Sequence, residues 1–174
     1  KFSKLMLLAL ISGGLLFSCK KDNPVEPPIP HDDPSVLSGN ISANTTLNAG
    51  IAYTISGSVL VDSGVTLTIP AGTEIVSEVG TANYLAVLQG GSIDIQGTAA
   101  NPVIMRSNGT AGSWGGLLLC GNATTTEGVN AIAEVGGLVY GGTTDNDSSG
   151  NIEYLILRNT GAQINADSQF NGLS

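Results

Sequence analysis

The sequence predicts an all-β fold, a right-handed parallel β-helix (solenoid) with three-strand rungs of about 26 residues. Residues 59–69, VLVDSGVTLTI, match residues 85–95, LAVLQGGSIDI, when shifted by 26 positions. Apolar residues coincide at every second position, and Gly64 coincides with Gly90 at a corner. Short strands joined by glycine turns and repeated at a fixed period are typical of β-solenoids. A glycine count of 24 and an aromatic content of only 5% fit many tight corners and thin stacked strands.

The domain is expected to span residues 35–174. Apolar and polar residues alternate in residues 39–55, which predicts one or two strands, and this segment is interpreted as an N-terminal cap rung. The repeat follows, and residues 74–76 form the third strand of its first rung. The corresponding strand of the second rung comprises residues 103–105. Its inward residue Val103 is displaced by 28 positions from Ile75, so a corner near residues 98–102 has gained residues. Alternation predicts six inward-facing positions, which are Val59, Leu67, Ile75, Leu85, Ile93 and Val103.

Residues 124–150 break the rhythm of the repeat and are interpreted as an excursion from one corner. Residues 151–158 then return to the solenoid. Arg158 follows an apolar triplet as Arg106 does, and the two arginines are separated by 52 positions, which is twice 26. They are therefore expected on one side of the solenoid, two rungs apart. The final residues resemble the start of another strand, so the chain is interpreted as a fragment truncated at its C-terminus.

The N-terminal region is expected to target and anchor the protein. Lys1 and Lys4 precede an apolar run that ends in Leu16-Phe17-Ser18-Cys19, so residues 1–18 are interpreted as a signal peptide. This ending resembles the bacterial lipobox, which implies cleavage before Cys19 and lipidation of its sulfur. The alternative is an ordinary signal peptide with an unlipidated cysteine. Residues 19–34 are rich in proline and are expected to form a disordered tether, in which His31 is more simply a solvated residue than a metal ligand.

Three segments carry a family resemblance: GVTLTIPAGTEI, GSWGGLLLCGNA and NIEYLILRNTG. Together they resemble β-helical surface lipoproteins of Bacteroidota-type Gram-negative bacteria, whose fold is similar to that of pectate lyases. The resemblance covers residues 40–174. It implies a lipid anchor in the outer membrane and display at the cell surface, and the family has a poorly defined biochemical role.

The charge distribution limits the partners of the domain. The formal net charge is −8, and Arg106 and Arg158 are the only Lys or Arg residues after Lys21. A phosphate backbone requires several Lys or Arg contacts, so nucleic-acid binding is not expected. Cationic ligands, divalent metals and neutral glycans are compatible with this charge.

One segment suggests a weak Ca²⁺ site. Asp145, Asp147 and Ser149 place oxygen ligands at alternate positions before Gly150, as in the first half of an EF-hand loop. The twelfth position is Ile156, so the bidentate glutamate of the full motif is absent. The simpler interpretation is a polar turn with Asx hydrogen bonds. No cofactor other than Ca²⁺ is suggested.

Three residues are candidates for ligand binding. Trp114 is either a platform for sugar stacking or a plug over the core at a wide corner. Arg106 and Arg158 either bind a glycan carboxylate or pair with surface acids. Cys120 is expected to pack as a small hydrophobic residue without a disulfide partner.

No catalytic residues are predicted, because no recognised catalytic motif occurs. The candidate carboxylates lie outside any motif and are interpreted as solvated residues at outward strand positions; they are Asp62, Glu74, Glu78, Asp94 and Glu153. The sequence favours a non-catalytic, lipid-anchored envelope module that binds glycan or protein, or has a structural or adhesive role. The alternative is a polysaccharide lyase or glycoside hydrolase whose catalytic rungs lie beyond Ser174. Fold alone does not discriminate between them.

Overall fold

The computed structural model describes residues 33–174. The expected signal peptide, the expected lipidation site Cys19, His31 and nearly all of the expected tether lie outside the described residues. The described part contains fourteen β-strands, and none of its residues belongs to a helix that could cross a membrane. The first seven strands are β1 (Val36–Ile41), β2 (Thr45–Thr46), β3 (Ala52–Val61), β4 (Thr66–Pro70), β5 (Glu74–Ser77), β6 (Tyr84–Val87) and β7 (Ser92–Gln96). The others are β8 (Val103–Ser107), β9 (Gly116–Leu119), β10 (Ala131–Ile132), β11 (Val139–Tyr140), β12 (Gly150–Glu153), β13 (Leu155–Leu157) and β14 (Gly172–Leu173).

The strands coil into a right-handed parallel β-helix with three faces, which confirms the predicted fold class. Sheet 1 contains the second half of β3 together with the second half of β1 and with β6, β9 and β14; the first half of β1 pairs with the first half of β3 on sheet 3. Sheet 2 contains β2, β4, β7 and β12. Sheet 3 contains the first half of β3 together with β5, β8 and β13. Strand β3 serves two faces because it bends at Gly57, which has a φ of 83°.

The repeat visible in the sequence is the repeat of the fold on two faces. Leu67 pairs in register with Ile93 on sheet 2, and Val59 pairs with Leu85 on sheet 1, at the predicted offset of 26. On sheet 3 the predicted offset of 28 is wrong, because Ile75 pairs with Met105 at an offset of 30. Both offsets are even and keep the same side chains inward, so alternation could not distinguish between them.

The core is a stack of aliphatic side chains inside the three faces. All six positions predicted to face inward have no exposed surface. Leu67 on β4 and Ile93 on β7 are among them, and the rungs are stacked at the strand spacing of about 4.8 Å. Burial of each such side chain contributes roughly 1.5–3 kcal/mol before the loss of conformational entropy is subtracted.

The excursion lies between β9 and β12, at the corner between sheets 1 and 2, and it packs back onto the solenoid. Strands β10 and β11 form an antiparallel hairpin within it. Val135 and Leu138 of this hairpin join Ala86 and Leu118 in a second apolar cluster on the outer side of sheet 1. The outward positions of sheet 1 include apolar residues, and the excursion covers them. Sheet 1 is therefore buried on both sides, by the core on the inside and by the excursion on the outside.

The excursion also changes the distance between the arginines. It lengthens its rung, so that Met105 on β8 pairs directly with Leu157 on β13. Arg106 and Arg158, one position further along, therefore lie on adjacent rungs of sheet 3. The predicted separation of two rungs is wrong, because a single rung takes up the whole 52-residue interval.

Candidate functional site

The outer side of sheet 2 is polar, in contrast to the covered outer side of sheet 1. Inward residues such as Leu67 and Ile95 are fully buried, and the intervening residues point outward. No outward residue of this sheet belongs to either of the two apolar clusters. We call this surface the polar face; its members are Thr46, Thr66, Thr68, Ser92, Asp94, Gln96, Asn151 and Glu153.

The strand register aligns the polar face into rows that cross the strands. Thr46 lies beside Thr68, Thr68 beside Asp94, and Asp94 beside Asn151. The four side chains form one row, called the central row below. Each step of the row is one strand spacing, about 4.8 Å. The hydroxyls of Thr46 and Thr68 have no hydrogen-bond partner among residues 33–174, so both can bind a ligand or water.

Two carboxylates and two amides form a square at one end of the polar face. Asp94 and Gln96 lie on β7, opposite Asn151 and Glu153 on β12. Nε2 of Gln96 donates to Oδ2 of Asp94 at 2.6 Å, and Nδ2 of Asn151 donates to Oε1 of Glu153 at 3.2 Å. These bonds orient the four side chains. Each amide keeps a second N–H, and each carboxylate keeps a second oxygen for an external group.

Tyr154 stands beside this square at the corner between sheets 2 and 3. Its side chain is 60% exposed, and its φ of 44° is unusual for a bulky residue. The corner fits tightly over Gly97, where a Cβ would lie 2.5 Å from the carbonyl oxygens of Glu153 and Tyr154. The fold thus holds an aromatic ring in solvent through a strained backbone, a condition often associated with functional positions.

The polar face and Tyr154 supply the groups that sugars require. Carboxylates accept hydrogen bonds from hydroxyls, amides both donate and accept, and an aromatic ring packs on the apolar face of a sugar. Asp94 and Glu153 bring negative charge, and neither arginine lies on this sheet. The arrangement therefore suits a neutral, hydroxyl-rich ligand better than an acidic one.

The arginines lie on the outer side of sheet 3, away from the polar face. Nε of Arg106 forms an ion pair with Oε1 of Glu74 at 2.7 Å, and its Nη1 donates to Asn108. Arg158 is exposed and makes no ion pair within residues 33–174. Arg106 thus has the surface-acid partner expected from the simpler interpretation. Binding of a glycan carboxylate by the two arginines stays a prediction.

Trp114 does not provide a stacking platform. Its side chain has no exposed surface, and Nε1 donates to the carbonyl oxygen of Arg158 at 2.8 Å. The interpretation as a sugar platform is wrong, and the alternative interpretation, a plug over the core, is confirmed. The glycines that follow Trp114 allow this close packing: a Cβ at Gly115 would lie 2.7 Å from Cβ of Tyr84.

The segment proposed for Ca²⁺ is held by the hydrogen bonds of a turn. Oδ2 of Asp147 accepts from the backbone N–H of Asn122 at 2.8 Å, and Asp145 accepts from the hydroxyl of Thr124. Both carboxylates thereby fix the start of the excursion to its end. Residues 33–174 contain no group of three His, Cys, Asp or Glu side chains arranged to hold a metal. Ca²⁺ binding by Asp145, Asp147 and Ser149 stays a prediction.

Cys120 is buried on the outer side of sheet 1, within the second apolar cluster. Burial raises the pKa of its thiol above the ordinary value. It therefore packs as the small hydrophobic residue that the sequence predicted, and its thiol is poorly suited to act as a nucleophile.

Sequence reasoning missed Gln96, Asn151 and Tyr154. Asp94 and Glu153 were recognised as outward carboxylates. Their neighbours depend on the register between β7 and β12, in which Asp94 pairs with Asn151, 57 residues later, because the excursion lies between the two strands. The start of β12 at Gly150 offered a clue, because a Cβ there would collide with the carbonyl oxygen of Ile93. No pattern in the sequence indicates the positive φ of Tyr154.

Comparison with known proteins agrees with this architecture. No curated protein and no solved structure matches the chain. A family model described as a pectate-lyase-like β-helix domain matches residues 39–174, which is most of the chain. The chain therefore belongs to the family of pectate-lyase-like β-helix domains.

Proposed function

We propose that the protein is a non-catalytic, lipid-anchored envelope module that binds glycan on the polar face of sheet 2. The observation that carries this proposal is the square of Asp94, Gln96, Asn151 and Glu153 beside the exposed ring of Tyr154. A rigid strand scaffold holds these groups, so little conformational entropy is lost when a ligand binds.

The proposed anchor rests on the sequence alone. Cys19 follows an apolar segment and small Ser18, and the tether after it is rich in proline. Acyl chains on Cys19 would contribute about 0.8 kcal/mol of membrane binding per buried methylene. Together with the resemblance to surface lipoproteins, this supports an outer-membrane location with the domain displayed at the cell surface.

Polysaccharide cleavage is the second candidate function. Asp94 and Glu153 are diagonal neighbours on adjacent strands, with their α-carbons roughly 8 Å apart. This α-carbon separation is of the same size as the distance of roughly 6.5–9.5 Å between the two carboxyl groups of inverting glycoside hydrolases. Each of these carboxylates already accepts a hydrogen bond from a neighbouring amide and lies on an open surface, which favours binding over acid catalysis.

The test is a binding panel of neutral and acidic polysaccharides with the full chain in detergent. Tyr154→Ala should weaken neutral-glycan binding about tenfold or more, because stacking on the ring is lost. Arg158→Ala is the control, since it changes a residue that is also exposed but lies on another sheet. Equal binding by wild type and Tyr154→Ala would overturn the proposal.

Two further arms of the panel distinguish the alternatives. Release of reducing sugars or unsaturated products, abolished by Glu153→Gln, would identify a cleaving enzyme. Binding of acidic glycans only, lost in the Arg106→Ala, Arg158→Ala double variant, would transfer the ligand site to sheet 3. We expect neither result.

A further inference from the structure

We propose that the outer side of sheet 3 is an interface through which two copies of this chain associate as a weak symmetric dimer. This inference goes beyond glycan binding, because it concerns a different face of the solenoid and a protein partner. It follows from a partly exposed apolar strip on sheet 3 and from the charges beside that strip. One of these charges, Arg158, forms no ion pair within residues 33–174.

The first step concerns the apolar residues on the outer side of sheet 3. Ile75 and Met105 are fully buried inside the solenoid, so their neighbours along β5 and β8 point outward. Several of the outward residues of this sheet are apolar and partly exposed, and they belong to neither of the two apolar clusters. They are Val36, Val76, Ile104 and Ile156. An apolar strip that is open to water is typical of a protein interface.

The second step concerns the register, which brings apolar and charged residues together on this face. Glu74 pairs with Ile104, and Ile104 pairs with Ile156 on the next strand. In the neighbouring row, Arg106 lies beside Arg158. Apolar and charged side chains therefore form one continuous surface, and arginine is enriched in surfaces through which proteins associate.

The third step concerns the order of the charges across the sheet. The acids Glu74 and Glu78 lie on β5 or directly after it, whereas Arg106 lies on β8 and Arg158 directly follows β13. Glu74 is occupied by its ion pair with Arg106. Oε2 of Glu78 accepts a hydrogen bond from the hydroxyl of Ser56, which leaves its other oxygen for an external group. A negative group beside β5 and a positive group beside β13 are thus available to a second molecule.

The fourth step concerns symmetry, which converts this order of charges into complementarity. A two-fold axis along β8 brings two copies face to face and places β5 of one copy opposite β13 of the other. Arg158 of each copy then lies opposite the segment between Glu74 and Glu78 of the other copy, and this contact occurs twice. Ile104 lies at the axis and packs against its own counterpart. Arg106 also lies near the axis, where its ion pair with Glu74 offsets the repulsion between the two copies.

The fifth step concerns the choice of a second copy and the strength of the contact. Arg106 and Arg158 are the only Lys or Arg side chains within residues 33–174, and both lie on sheet 3. Two copies of this acidic chain can therefore form opposite-charge pairs only through this face. The strip is roughly 24 Å wide across five strands and about 17 Å long, so a pair of copies buries on the order of 800 Å² in total. This area is at the low end of specific interfaces, so the dimer is weak and reversible.

The experiment measures self-association of the full chain by sedimentation equilibrium in a density-matched detergent. Wild type should form a concentration-dependent dimer below millimolar concentration, and added salt should weaken it by screening the charge pairs. Arg158→Glu and Glu78→Arg should each weaken dimerisation roughly tenfold or more, because attraction becomes repulsion at two places. Glu127→Arg is the matched control for charge, since this exposed acid lies on the excursion, and it should not weaken dimerisation.

A mixture of the two variants distinguishes the proposed pairing from a folding defect. In a mixed dimer each substituted residue meets a group of opposite charge. The equimolar mixture of Arg158→Glu and Glu78→Arg should therefore recover dimerisation to within about threefold of wild type. A wild type that stays monomeric up to millimolar concentration would overturn the inference. So would dimerisation that Arg158→Glu does not weaken, or a mixture that associates no better than the separate variants.

Discussion

Leu67 and Ile93 are register partners on neighbouring parallel strands, and both side chains are fully buried. Thr68 follows Leu67 and Asp94 follows Ile93. These two residues are also register partners, and both point outward. One strand pair thus contributes to the core on its inner side and to the polar face on its outer side. Stability and binding can therefore be altered separately by changing adjacent residues.

The first prediction uses this alternation. Leu67→Ala should lower the free energy of unfolding by about 2–5 kcal/mol, because it leaves a cavity in the stacked core. Thr68→Ala, one residue further along, should change it by less than about 0.5 kcal/mol. Urea unfolding of the two variants measures this difference. Similar losses of stability in both would show that β4 does not have the inward and outward faces described here.

The second prediction concerns Trp114, which is the only tryptophan in the chain. Its fluorescence should be blue-shifted and protected from acrylamide, and it should not change when a glycan binds, because the ring is buried away from the polar face. Trp114→Phe should cost about 1–3 kcal/mol of stability, since the carbonyl oxygen of Arg158 loses its donor. A ring readily quenched in the native protein would contradict this placement.

The third prediction concerns Cys120 and pH. Burial raises the pKa of its thiol in the folded state, so the thiol ionises first in the unfolded chain as the pH passes its ordinary value of 9.0. The free energy of unfolding should therefore fall as the pH rises above about 9, and Cys120→Ala should reduce this fall. In a Cys19→Ala background, Cys120 should react with a thiol reagent only after unfolding. Rapid reaction of the native protein would exclude a buried thiol.

The fourth prediction concerns the proposed anchor. Cys19→Ala should abolish membrane association and labelling by a fatty-acid analogue, while residues 33–174 keep their fold. The physical reason is that the acyl chains supply the binding free energy. Circular dichroism of the released variant is the folding control. Equal labelling of wild type and Cys19→Ala would refute lipidation at this residue.

The sequence was sufficient to predict the fold class and the core, because both depend on local alternation. Val59, Leu85 and the other inward positions could be identified from a repeat with a period of 26 and a side-chain period of two. The partner of Ile75 could not, since offsets of 28 and 30 keep the same inward pattern. Local patterns thus determine which way a side chain faces more reliably than they determine which strand it pairs with.

The candidate site was only partly predictable, because it depends on contacts across the excursion. Asp94 and Glu153 were visible as outward carboxylates, but their place in one square depends on the pairing of β7 with β12. The same long rung brings Arg106 beside Arg158. Excursion length does not follow from the period of a repeat, since a surface loop can be lengthened at a small entropic cost. Distances across such a loop therefore require a structure.

The most direct test of the central claim is an NMR titration of the isotope-labelled full chain in detergent with xylohexaose. The account predicts that backbone shifts change along the central row, from Thr46 through Thr68 and Asp94 to Asn151, and at Tyr154. Resonances of the excursion and of sheet 3 should stay unchanged. Changes centred on the arginines of sheet 3 or on the excursion, or no changes at saturating ligand, would contradict the proposed glycan site on sheet 2.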